Sequence, residues 1–105
     1  MKIAKRPRAL RKPFVAAIAI TDVHSERQIT GRTSNLSVRG CFVLTPTPLN
    51  PGTKVQVTIV HAGAKVAVSG RVASVRAQGM GIAFLKIEQH DQAVLERWIS
   101  DLRTN

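Results

Sequence analysis

Between Lys54 and Arg76 the chain alternates apolar and polar residues through two long runs. Val55, Val57 and Ile59 fall on one side of the first run, with Lys54, Gln56 and Thr58 on the other. In the second run Val66, Val68, Val72 and Val75 are the inward candidates. A period of two is the mark of a strand with one face in a core. Ala62-Gly63 between the runs is a hairpin turn. Gly70 and the change of step between Val72 and Val75 indicate a bulge or corner. A long hairpin of this kind must bury its apolar face. It must also protect its edges, and sheet closure does that.

The rest of the chain supplies the partners. Phe14 to Thr21 is apolar and suited to a first strand, Asp22 to Arg27 is a polar turn, and Gln28 to Ser34 is a second strand. Asn35 to Gly40 reads as a turn-rich connection, and Cys41 to Thr45 returns to strand chemistry. Pro46, Pro48, Pro51 and Gly52 form a loop. After Gln78-Gly79, Met80 to Leu85 is a last strand. Val94, Leu95, Trp98, Ile99 and Leu102 then recur at helical spacing, so residues 89–103 are predicted as a helix with one packing face, capped by Asp91 or a residue just before it. About six short strands followed by a helix predict an all-β fold with a C-terminal helix, a small antiparallel barrel.

A chain of 105 residues, 44% of them hydrophobic, suits one domain with one core. Sixteen Lys and Arg against six Asp and Glu give a formal net charge of +10, which points to anionic partners. The charge is concentrated early: Lys2, Lys5, Arg6, Arg8, Arg11 and Lys12 lie in the first twelve residues with no acid among them. The expected division is therefore a flexible basic arm over 1–12 and a barrel with its helix over 13–105. A single cysteine, Cys41, allows no intrachain disulfide. His24, His61 and His90 lack metal-ligand spacing, and no apolar run is long enough to cross a membrane. The expected location is the cytoplasm.

Two segments carry specific chemistry. Asn35-Leu36-Ser37-Val38-Arg39-Gly40 reads N-x-S-x-x-G, downstream of the basic run Lys5-Arg6-Pro7-Arg8-Ala9-Leu10-Arg11-Lys12. Arginine can donate a bidentate pair to guanine or to a phosphate, and it can stack on a base. Asn35 offers a donor and an acceptor to a base edge. The Ser37 hydroxyl can bond to a ligand or brace the turn, and Gly40 permits positive φ and a close-lying ligand.

Together these motifs and the order of elements resemble the PilZ domain family, receptors for the dinucleotide second messenger cyclic di-GMP. The resemblance implies a basic arm with an R-x-x-x-R element, a six-stranded antiparallel PilZ-type barrel and a C-terminal helix. Arg11 stands where the second arginine of that element is expected. Four residues earlier is Pro7, flanked by Arg6 and Arg8, and Arg8 with Lys12 is the cation pair at the strict spacing. The ligand-binding residues implied are Arg6, Arg8, Arg11, Asn35, Ser37 and Gly40, with Lys12 and Arg39 as secondary contacts. Where many family members place a bulky residue for packing on guanine, this chain has Ala73-Ser74-Val75.

The function implied is a cyclic di-GMP receptor that orders its arm on ligand binding and signals through a partner protein. No other cofactor, no metal and no membrane insertion are expected. No nucleophile–base pair, carboxylate pair or phosphate loop is visible, so the expectation is a binding module and not an enzyme. Two other readings stay open. Pro7 motivates a PilZ-like protein that has lost the nucleotide and works by protein contact, for example in pilus or motility machinery. Net charge motivates a barrel that binds nucleic acid. Three Phe, one Trp and no Tyr leave few stacking platforms for that role.

Overall fold

The computed structural model describes residues 12–103. Arg6, Arg8 and Arg11, named above as arm contacts, lie outside the described residues, as does the side chain of Lys12. Seven strands and one helix follow in order: β1 (Lys12–Pro13), β2 (Ala17–Asp22), β3 (Gln28–Ser37), β4 (Gly40–Leu44), β5 (Lys54–His61), β6 (Ala64–Arg76), β7 (Gly79–Ile87) and α1 (Gln89–Arg103).

Strands β2 to β7 close a ring. Around it they run β3-β2-β5-β6-β7-β4, and β4 returns to pair with β3. Every pairing is antiparallel. The expected six-stranded antiparallel barrel with a C-terminal helix is thus the fold, and closure leaves none of the six with an unpaired edge. The two-residue β1 pairs with the far end of β3, placing Lys12 opposite Leu36 and Pro13 opposite Asn35.

The alternation produces the core. Val55, Val57 and Ile59 on β5 and Val66, Val68 and Val72 on β6 are all buried, as is Gly70, and the residues that alternate with them are exposed or half-buried. Full burial of such aliphatic side chains stabilises the fold by roughly 1.5–3 kcal/mol each. Val75 does not join them and is 41% exposed. The β6–β7 register shifts between Val72 and Ser74, which resets the alternation and sets Val75 opposite the buried Met80, on the inward side but one residue from the end of the strand. A second shift between Ser69 and Gly70 falls where the glycine suggested one.

The β5–β6 hairpin turns through Ala62 and Gly63, both with positive φ (51° and 78°), as a tight turn matched to strand twist requires. The β3–β4 connection differs from expectation. The strand continues through Asn35 and Leu36 to Ser37, and only Val38 and Arg39 form the turn. Leu36 is fully buried, and burying it extends the strand past the polar residues around it. The first strand also starts later than expected, because Phe14 to Ala16 bridge β1 and β2 without regular pairing.

Helix α1 lies against β6 and sits at the barrel end that carries the β5–β6 turn. The Glu88 carbonyl accepts the Gln92 amide at 2.8 Å, so the helix is entered at Glu88, and Asp91 lies within its first turn, where a carboxylate complements the helix dipole. Leu95 and Trp98 are buried, with Val94, Ile99 and Leu102 packed beside them. The Trp98 ring stacks on Phe14 (centroids 5.7 Å apart, 29° between planes), and His61 meets both rings, at 4.6 Å from Phe14 and 5.3 Å from Trp98.

Candidate functional site: a basic groove across four strands

The site is built on the outer face of four adjacent strands. Asn35 on β3 is the register partner of Phe42 on β4, Phe42 is the partner of Gly81 on β7, and Gly81 is the partner of Ser74 on β6. Cross-strand partners in an antiparallel sheet stand about 4.5–5.5 Å apart, so the four residues form one lateral row. Their sequence neighbours Leu36, Cys41, Val43, Met80 and Ile82 are buried in the core, which turns the row outward. The surface here is a groove of about 620 Å³, lined by this row and by Arg39 and Arg76 among others.

Gly81 gives the groove its depth. A Cβ at this position would lie 2.8 Å from Ser74 Oγ and 3.9 Å from Phe42 Cδ1. The absent side chain therefore leaves an open floor between a ring and a hydroxyl.

The sequence-predicted residues divide into two groups. Asn35 and Arg39 line the groove. Ser37 and Gly40 do not line it; they pair with each other where the β3–β4 hairpin turns, at its Arg39 end. Ser37 is 2% exposed, and its hydroxyl accepts the Arg39 amide at 3.1 Å and faces the Gly40 carbonyl at 3.4 Å. Of the two roles open to Ser37 in the sequence, bracing the turn is the one formed here. Gly40 is buried and does not use the positive φ that a glycine permits. The glycine is required instead because a Cβ would collide with the Ile82 carbonyl on β7. Ser37 and Gly40 hold the hairpin that presents Arg39 and the end of β3.

Phe42 and Arg76 were missed in the sequence. Ala73-Ser74-Val75 suggested a groove without a large apolar surface, but the ring of half-buried Phe42 stands across Gly81 from Ser74. Its position between the buried Cys41 and Val43 was the available signal, since alternation turns Phe42 outward. Arg76 ends β6, and only the β6–β7 register brings it to the groove.

The electrostatics favour an anion. All six acids lie elsewhere: Asp22 and Glu26 at the β2–β3 turn, and Glu88, Asp91, Glu96 and Asp101 in α1 or the residue before it. No acid is present on β3 to β7, which carry Arg32, Arg39 (in the turn), Lys54, Lys65, Arg71, Arg76 and Lys86. A concave surface walled by one sign of charge concentrates counter-ions. A second concavity of about 370 Å³ lies between α1 and the β5–β6 hairpin, with a mostly apolar floor including Ala64, Val94 and Trp98 and both Arg97 and Asp101 at its edge. Its mixed charge suits a dianion less well. Among the described residues no group of three or more His, Cys, Asp or Glu is placed to hold a metal ion, and no helix is long and apolar enough to cross a membrane.

Comparison with known proteins agrees with the architecture. The structure is similar to that of the Bacillus subtilis inhibitor of motility MotI/DgrA, with a TM-score of 0.82 at 18% identity. That match covers 100% of this chain and 55% of the other, so the chain spans about half the length of that protein. The PilZ domain of YcgR from Escherichia coli, solved with c-di-GMP, matches with a TM-score of 0.75 at 16% identity, covering 95% of this chain and 93% of that one. The PilZ domain of CeSA from a cellulose-synthesizing bacterium matches with a TM-score of 0.72 at 18% identity, covering 90% and 99%. No curated protein sequence matches the chain. The model of the PilZ domain family matches residues 4–101, nearly the whole length. With the closed barrel, the N-x-S-x-x-G hairpin and this match together, the chain belongs to the PilZ domain family.

Proposed function

We propose that this protein is a receptor for cyclic di-GMP, a binding module and not a catalyst, acting in the cytoplasm through a partner protein. The observation that carries the reading is the register of β1. Pro13 is the direct partner of Asn35, so the root of the basic arm is held beside the groove residue that has base-reading chemistry. Arg11 is two residues from Pro13 along the chain, and Arg8 and Arg6 follow within a few residues more. At about 3.3–3.6 Å per extended residue, all three are within reach of the groove.

The chemistry matches the ligand. A cyclic dinucleotide brings two phosphodiester charges and two guanines. Asn35 can pair with a guanine edge, and the Phe42 ring provides a stacking surface of a kind worth about 1–3 kcal/mol per base. Arg39, and Arg11 with Arg6 or Arg8, supply guanidinium groups for phosphate and guanine. Ligand binding then folds the arm over the groove, and the new surface of arm and ligand is what the partner reads.

The test is calorimetric titration with cyclic di-GMP, with GTP and cyclic di-AMP as controls. Selective saturable binding is expected, weakened by about tenfold or more in Asn35→Ala and in Arg11→Ala, the loss of one bidentate contact. Absence of heat at millimolar cyclic di-GMP would reject the receptor and favour a PilZ protein acting by protein contact alone. Salt-steep binding of arbitrary oligonucleotides with no preference for the cyclic dinucleotide would favour the nucleic-acid reading.

A further inference from the structure

The groove has an arginine at each end, and nothing in the fold requires the second. Arg39 stands at the β3–β4 turn, just before Gly40. Arg76 closes the other end: it pairs with Gly79, and Gly79 pairs with Leu44, the last residue of β4. Gly40 and Leu44 are four residues apart on β4, so about 14 Å of strand separates the two ends. Asn35, Phe42 and the open floor at Gly81 lie between them. Arg76 is exposed, and no carboxylate pairs with it among the described residues. It packs into no core and caps no helix.

Arg76 offers its guanidinium from the barrel wall, on a stretch of β6 whose register is fixed by pairing with β7.

We infer that Arg76 is a ligand-binding residue, gripping a phosphodiester of the bound dinucleotide from the groove end opposite Arg39. The inference rests on the cyclic di-GMP reading of the groove. A dianion with its two phosphates in one ring suits two cations approaching from opposite ends. Because Arg76 belongs to the sheet, this contact does not depend on the arm's position, and the ordering cost of making it is small.

The experiment is calorimetric titration of the full chain with cyclic di-GMP, comparing wild type with Arg76→Ala, Arg76→Lys and Arg27→Ala. Arg27 is an exposed cation eight residues before Asn35, about 27 Å away along β3, so its removal changes net charge equally without touching the groove. Arg76→Ala is expected to weaken binding by about ten- to a hundredfold, the range for a hydrogen bond to a charged group, while Arg27→Ala stays within about threefold of wild type. Arg76→Lys keeps the charge without the fork and falls between wild type and Arg76→Ala. An unchanged thermal midpoint shows that the variants fold. If Arg76→Ala binds within about threefold of wild type, or no more weakly than Arg27→Ala, the inference is overturned while the receptor reading stands. If wild type does not bind cyclic di-GMP, the receptor reading fails and takes the inference with it.

Discussion

The Thr33 hydroxyl donates a 2.6 Å hydrogen bond to the Phe14 carbonyl, and the same oxygen accepts the Ala16 amide at 3.0 Å. One buried side chain on β3 thus satisfies two backbone groups of the segment that joins β1 to β2, where regular pairing lapses. Phe14 also carries the ring that stacks on Trp98. The contact therefore links the middle of β3, the root of the arm and helix α1.

Thr33→Val keeps the shape of this side chain and removes its hydroxyl. Two buried backbone groups lose their partner, and destabilisation of about 1–3 kcal/mol or somewhat more is expected. Urea denaturation measures it, and Thr33→Ser should recover most of the loss. A Val variant as stable as wild type would mean that the segment re-pairs by other means.

The glycines of the groove region separate fold from site. Gly40→Ala sets a methyl against the Ile82 carbonyl, which can move only if β4 and β7 part, and it should cost about 1–3 kcal/mol. Gly81→Ala meets Ser74 Oγ, which can rotate away, so its stability should change by less than about 1 kcal/mol. The added methyl fills the groove floor, and cyclic di-GMP affinity should fall. Paired denaturation and titration of the two variants check the contrast.

Ala62 has a φ of 51°, in the left-handed region that costs an L-residue with a Cβ roughly 1–2 kcal/mol. Glycine avoids that cost but gives up more chain entropy on folding. Ala62→Gly is expected to raise stability by about 0.5–1 kcal/mol, read as a higher urea midpoint with unchanged slope.

The Asp22 carboxylate accepts the His24 amide at 2.9 Å, the Ser25 hydroxyl at 2.9 Å and the Ser25 amide at 3.3 Å. The His24 amide, then the Ser25 hydroxyl, hold its pKa below the ordinary aspartate value. A carboxyl with a depressed folded-state pKa adds stability that is fully present above its unfolded value and lost as pH falls through the folded one. The contribution is small at this exposed turn. Asp22→Asn should lower stability slightly near neutral pH and flatten the decline between about pH 5 and pH 2, measured as urea midpoint against pH.

Local pattern was enough for the barrel walls. Alternation placed Val55, Val57, Ile59, Val66, Val68 and Val72 inward, Ala62-Gly63 turned the hairpin, and the stripe from Val94 to Leu102 made the helix, because strand and helix periods are properties of neighbouring residues. Asn35 and Arg39 of the N-x-S-x-x-G segment line the groove, while Ser37 and Gly40 form the hairpin beside it. What the tertiary structure decided depends on residues distant in sequence. Ser74 and Arg76 face the groove because β6 shifts register against β7, Phe42 meets the groove because β4 pairs between β3 and β7, and Arg76 stands opposite Arg39 because β7 pairs with both β4 and β6. Register across a closed sheet is set by all of its strands together, and no single segment encodes it.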